Sequence, residues 1–236
     1  MKRKKVLLFS GGMDSVIVDH LYKPDIRLYI DVKSRYSKTE LKTIKNYPKD
    51  VVVNNTFDFS KCEMNNAIIP FRNLYFILKA AEYGNDIYIG ATVGDNSKDK
   101  DIVFFKQAER ILNHMNASHW GNGQVYKIHY PIKRKTKRQI VKEYIDSGGS
   151  VNNLINSFSC YTPNNGRHCG NCKPCLRKFL AFYLNDINIA HIFDSDILKS
   201  KYWKVEYDKA LNNYRGPESK DIIKFYKNLP SRIRKD

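Results

Sequence analysis

The stretch Lys5-Val6-Leu7-Leu8-Phe9-Ser10-Gly11-Gly12-Met13-Asp14-Ser15 decides the fold. An apolar run over 5–9 reads as a buried strand, and the pattern over 14–22 reads as a helix. The two glycines between them let the backbone turn sharply and bring bare N–H groups close to an anion. The following helix adds unpaired N–H groups and the positive end of its dipole. Ser10 and Ser15 add hydroxyl donors. Asp14 is acidic beside a site for negative charge, which makes sense if a Mg²⁺ lies between the two. A tight turn without a ligand is the plainer alternative, but the full hexapeptide directly after a strand is more specific than a Gly-Gly pair. It is not a Walker A loop, because no Gly-Lys-Ser/Thr follows.

Outward from this loop, apolar runs alternate with helical patterns. Strands are expected at 26–32, 51–54, 86–90 and 125–130. Helices are expected at 37–46, 70–83, 101–115 and 136–147. Ser37 and Glu40 have capping-box spacing. Pro70 suits a first helical turn, with Leu74, Ile77, Leu78 and Ala81 on one face. Gly84-Asn85 and Gly148-Gly149 act as stops. Such alternation predicts an α/β protein: a parallel twisted sheet of about five strands with helices on both faces. Ligands in such sheets sit at the carboxyl ends of the strands. No linker divides the chain. We expect an α/β domain over 1–155 and a cysteine-containing segment with a helical extension over 156–236. The last fifty residues are rich in Lys, Asn and Tyr, with a helix near 219–228.

The chain has 236 residues and a net charge of 41 − 24 = +17. A basic excess suits nucleic acid or anionic ligands. Its clusters, at 2–5, 133–138 and 232–235, are Lys-rich and read equally well as a solvated surface. The apolar run after the basic start is too short for a signal peptide, and no eighteen-residue apolar run occurs. A cytoplasmic protein without a membrane span is the expectation.

Four of the five cysteines crowd into Cys160-x8-Cys169-x2-Cys172-x2-Cys175. Four thiolates at this spacing can close a tetrahedral Zn²⁺ site, with Gly170 and Pro174 suited to tight turns between ligands. An iron–sulfur cluster is the alternative, followed by free thiols. His168 could replace one ligand. Cys62 reads as a structural or chance thiol. Four protein ligands would leave no open coordination position, so a metal here would be structural.

The hexapeptide resembles the SGGxDS signature of the PP-loop ATP pyrophosphatases. Together with Ile69-Pro70-Phe71-Arg72-Asn73 and Ser159-Cys160-Tyr161…Cys169-Gly170-Asn171-Cys172-Lys173-Pro174-Cys175-Leu176-Arg177, it resembles the QueC family of 7-cyano-7-deazaguanine synthases, over about residues 4–180. Pro131-Ile132 followed by Lys137 is a weaker match. The resemblance implies ATP bound by Phe9, Ser10, Gly11, Gly12, Met13, Asp14 and Ser15, and catalytic roles for Asp14, Arg72 and Lys137. It further implies a 7-deazaguanine carboxylate bound near Asn73 and Asp95, ammonia as co-substrate, and Zn²⁺ on the four cysteines; by its position after a strand, Arg35 is expected to supply positive charge for that anionic substrate. The implied reaction adenylates the carboxylate, gives the amide with ammonia, and dehydrates it to the nitrile in a second ATP-dependent round. A homodimer is compatible with this reading, and direct tRNA or DNA binding is less favoured.

Two segments depart from the family pattern. The family's Tyr-Gly-Gln-rich loop is here 31–37, and its Tyr-Pro-Asp-Cys run is absent from 94–101, where Asp95 alone matches. The acceptor is therefore less firmly indicated than the phosphate loop. A tRNA-modifying PP-loop enzyme and a non-enzymatic nucleotide-binding relative are the competing functions.

Overall fold

The computed structural model describes residues 3–65, 68–117, 121, 123–164 and 166–231. Lys2 and the basic cluster 232–235 lie outside them. By internal contacts the chain forms two compact units. The first comprises Met1–Ala91 and Ser97–Lys133, the second Thr92–Asn96 and Arg134–Asp236. The sequence pattern places the division at 155/156; by contacts, the helix at Lys137–Asp146 belongs with the cysteine region.

The first unit is a five-stranded parallel sheet in the order β3-β2-β1-β4-β5. Its strands are β1 (Lys5–Leu8), β2 (Ile26–Ile30), β3 (Val52–Asn54), β4 (Asp86–Ile89) and β5 (Lys127–His129). Helices α1 (Met13–Tyr22), α2 (Ser37–Lys45), α3 (Arg72–Ala80) and α4 (Ile102–Met115) connect them. Every pairing is parallel, and Leu8 aligns with both Leu28 and Ile89. Alternation along the strands gives both faces a buried set. Val6, Leu28, Ile30, Ile87 and Ile89 share one core with Ile77 and Ala80 of α3 and Phe105, Ala108 and Leu112 of α4. Leu7 is fully buried on the other side of the pleat, and α1, which buries Val16 and Ile17, packs on β1 and β4.

The expected elements are present; most are somewhat shorter than their sequence patterns, while α1 and the last helix each begin one residue earlier. Three local expectations are corrected. Ser37 is the first residue of α2 rather than its cap; Tyr36 precedes it without a side-chain cap bond, and Glu40 instead accepts from the Tyr29 hydroxyl at 2.9 Å. No capping box forms there. Pro70 is outside α3, whose N-cap is Phe71. Leu78 is 38% exposed, and the buried face of α3 runs through Ile77 and Ala80. The capping box that does form is at α5 (Lys137–Asp146), where Thr136 and Gln139 bond reciprocally.

In the second unit, α6 (Val151–Ile155), α7 (Lys173–Tyr183), α8 (Tyr202–Leu211) and α9 (Glu218–Asn228) follow α5. Helix α7 is its centre, buried at every position from Cys175 to Phe182. Phe179 meets Phe193, Trp203 and Phe225 edge-on, and Trp203 lies 4.5 Å from Phe225, ring to ring. The C-terminal residues therefore have an aromatic core of their own, around the expected last helix and the unexpected α7 and α8. None of the helices among the described residues is long and apolar enough to cross a membrane.

Candidate active site

The glycine loop lies at the carboxyl edge of the sheet, where the order reverses between β1 and β4. Gly11 has φ +69° and packs so closely on α2 that a Cβ there would come 3.1 Å from Thr43 Cγ2. Gly12 is the N-cap of α1 and supplies no side-chain cap to its N–H groups. The two serines brace the loop. Gly12 N–H donates to Ser10 Oγ at 3.3 Å, and the Ser15 hydroxyl donates to the Gly12 carbonyl at 2.8 Å. Phe9 is buried against Tyr47, ring centroids 4.7 Å apart, so only its backbone borders the loop. Met13 is buried as well. Asp14 stands in the first turn of α1, half-buried. Gly90, just past β4, leaves room for that turn: a Cβ on it would come 3.1 Å from Asp14.

A second polar cluster forms in the same unit, between the end of β2 and the start of α3. Arg72 Nη1 donates to the Tyr36 hydroxyl at 2.8 Å, while Arg72 Nε is buried without a hydrogen-bond partner among the described residues. Asn73 donates to Asp99 Oδ2 at 2.7 Å. Burial pushes the Glu40 carboxyl up to about 7, against the Tyr29 hydrogen bond and the charge of Arg72. Tyr29 is raised too, by burial and then by Glu40. Burial works against ionised Asp31, yet the Lys33 ammonium at 2.6 Å and the Lys33 N–H outweigh it and hold this carboxyl low. Lys33 reaches both Asp31 oxygens through a backbone with φ +58°. Tyr29 and Tyr36 are not singled out by the sequence, and Glu40 is singled out there only for capping-box spacing; a strand residue, a residue before a helix and a helix residue give no motif.

Arg35, expected at the substrate, is engaged with a neighbouring loop of the same unit. Its Nε donates to Glu63 Oε1 at 2.6 Å and its Nη2 to the Met64 carbonyl at 2.9 Å, so it ties the β2 loop to residues 63–65.

Asp95 and Lys137 belong to the second unit. Asp95 accepts from Arg177 Nη1 and from Thr92 N–H, each at 2.8 Å. Arg177 also grips Glu218 through two bonds of 2.6 and 2.8 Å, and Glu206 holds Arg215, which donates to the Gly94 carbonyl at 2.8 Å. This buried ionic network fixes the 92–96 loop to α7, α8 and α9. Burial disfavours ionised Glu218, but Arg177 overrides it and lowers its pKa. Lys137 opens α5, with Glu218 close enough to feel its charge. In the basic segment 133–138, Lys133 is buried, Lys135 pairs with Glu143 at 2.6 Å and Arg138 with Asp221 at 3.5 Å.

The four cysteines converge as their spacing predicts. Their sulfurs lie within 4.8 Å of one another, with 3.9 Å between Cys160 and Cys172, 3.9 Å between Cys169 and Cys175 and 3.4 Å between Cys172 and Cys175. A tetrahedron with metal–sulfur bonds of about 2.3 Å has edges of about 3.8 Å, so the donor set fits Zn²⁺. N–H groups of Cys169 and Asn171 point at Cys160 and Cys169 sulfurs, both at 3.3 Å, as thiolate ligands require. Gly170 makes the turn at φ +74°. Pro174, by contrast, sits in the first turn of α7, which carries Cys175. His168 is packed between Phe158 and Phe193 beside the four sulfurs. Cys62 is exposed in a 3₁₀ turn at Ser60–Cys62.

A glycine loop at the carboxyl edge of a 3-2-1-4-5 parallel sheet, in a chain with a separate four-cysteine centre, defines a PP-loop-type α/β protein. The chain belongs to the QueC family: the family model described as "Queuosine biosynthesis protein QueC" matches residues 30–186. Relatives bear the name 7-cyano-7-deazaguanine synthase. One from Rickettsia conorii is 28% identical over 226 residues, covering 79% of this chain and 97% of the relative. Another from Rickettsia akari is 32% identical over 127 residues, covering 50% and 54%.

Proposed function

We propose that this chain is an ATP-dependent 7-cyano-7-deazaguanine synthase, a carbon–nitrogen ligase acting on 7-carboxy-7-deazaguanine and ammonia. The observation that carries this reading is the uncapped α1 N-terminus behind Gly11 and Gly12, in the same unit as the Arg72–Tyr36–Glu40–Asn73 cluster. One element suits a polyphosphate, the other a polar planar acceptor.

A carboxylate is a poor acyl donor, and transfer of AMP to its oxygen makes that oxygen a leaving group. Pyrophosphate departs, ammonia displaces AMP and a proton is released with the amide. A second ATP activates the amide oxygen in the same way, and loss of AMP and a proton leaves the nitrile. The chain's part is to hold and orient. The N–H groups of α1 would face the phosphates, with Ser10 and Ser15 keeping the loop in shape. Asp14 would hold Mg²⁺, which supplies positive charge against the polyphosphate. Arg72 keeps its charge beside Tyr36 and Glu40 and has a donor to spare for an anionic oxygen. Zn²⁺ on Cys160, Cys169, Cys172 and Cys175 would be structural and cross-link the segment that carries α7.

The pairing of Lys135 and Arg138 with acids, and the burial of Lys133, weaken the case for a tRNA-binding stripe. Pyrophosphate release with 7-carboxy-7-deazaguanine against release with unmodified tRNA tests the choice. Release with the acid supports this proposal, and release with tRNA alone overturns it.

A further inference from the structure

Phe71 occupies a conformation that neither its backbone nor its ring favours. It has φ +61° and ψ 4°, the left-handed region that glycine enters freely and a residue with a Cβ does not. The residue is 82% exposed, so its ring gains little from burial. Glycine or asparagine would satisfy the same turn at lower cost. A bulky residue held in this conformation by its surroundings points toward a use other than folding.

The surroundings hold it firmly. Ile69 before it is 3% exposed and anchors the turn, with Arg72 N–H donating to the Ile69 carbonyl at 3.3 Å. Directly after it, Arg72 is fixed on Tyr36 and Asn73 on Asp99. The chain therefore turns two polar side chains into the cluster and presents the aromatic ring of the preceding residue to solvent. Arg72 Nε, buried and without a hydrogen-bond partner among the described residues, is a donor awaiting an acceptor at the same place.

We propose that Phe71 is the stacking platform for the flat heteroaromatic ring of the acceptor, whose polar edge is read by the Arg72–Asn73 side of the turn. An exposed aromatic face is a sequence-tolerant surface for a purine-like ring. The proposal rests on the acceptor being a deazapurine.

The test compares Phe71→Gly, Phe71→Asn and Phe71→Tyr with the unaltered protein. KM for 7-carboxy-7-deazaguanine and for ATP are measured separately, together with Tm and with calorimetric binding of the acid. Gly and Asn relieve the backbone, so Tm is expected to hold or rise. Acceptor KM and Kd should nevertheless rise roughly tenfold, the order expected from loss of one stacking contact, with ATP KM within about twofold. Tyr should restore them. A purely structural Phe71 would leave acceptor KM and Kd unchanged in both small variants, which overturns the proposal while leaving the enzyme assignment intact. If the unaltered protein binds the acid without converting it, the catalytic reading fails, and the binding comparison still decides Phe71. If it does not bind the acid at all, both fall.

Discussion

Gly90 and Asp14 meet where the sheet hands over to the glycine loop: a Cβ on Gly90 would lie 3.1 Å from both the carbonyl carbon and the Cβ of Asp14, and 3.2 Å from Ser15 N. The closeness is backbone to backbone, so it cannot be relieved by a rotamer change. It sets how near the first turn of α1 approaches β4. Gly90→Ala should therefore push that turn away, at a stability cost of about 1–3 kcal/mol. ATP KM should rise more than acceptor KM. Steady-state kinetics and thermal denaturation check both; unchanged ATP KM with a destabilised fold would mean that the loop does not hold ATP.

Asp14 is the acid in the first turn of α1. If it holds Mg²⁺ against the polyphosphate, Asp14→Asn should lower AMP formation on the order of 100-fold or more while Tm changes little. AMP formation near that of the unaltered protein would remove Asp14 from the proposed machinery.

The cysteine centre predicts about one Zn²⁺ per chain by elemental analysis, given four sulfurs within 4.8 Å. Cys172→Ser, or prolonged chelation, should lower Tm on the order of 10 °C, because a structural metal site contributes directly to folding. Stoichiometric iron with visible absorbance would replace zinc by a cluster.

Glu40 supplies a pH test. Its carboxyl is raised from 4.5 to about 7, first of all by burial. The folded protein thus holds this proton more tightly than the unfolded chain. The resulting stability is fully present below about pH 4.5 and lost as pH rises through about 7. Glu40→Gln removes that dependence. Denaturant titrations should find the variant more stable by about 3 kcal/mol at pH 8, with the advantage gone at pH 4.5. A constant difference across the range would refute the raised carboxyl.

How much of this was legible in the sequence depended on whether the signal was local. The strand, the Gly11-Gly12 turn and the helix after it lie in one short run, and the four cysteines carry their spacing with them. The capping-box spacing at Ser37 and Glu40 misled because Glu40 has a stronger engagement with Tyr29, which is distant in sequence. Arg35 looked available because its partner, Glu63, lies in another loop. The burial of Asp95 under Arg177, and of Arg177 under Glu218, joins three segments that no window spans. Helices α7 and α8 were hidden by composition. Phe179, Trp203 and Phe225 make the core of that unit, yet they lie far apart in the chain, and Trp203 stands alone among lysines and tyrosines.

The central claim, that this chain makes a nitrile from a deazaguanine acid with ATP, is tested most directly by one mass-spectrometric time course. Purified protein is incubated with 7-carboxy-7-deazaguanine, ammonium, Mg²⁺ and ATP, and acid, amide, nitrile and AMP are quantified together. The account predicts that the acid declines, the amide appears transiently, the nitrile accumulates, and two AMP form per nitrile. AMP release without any change in the acid, or no AMP at all, would contradict it.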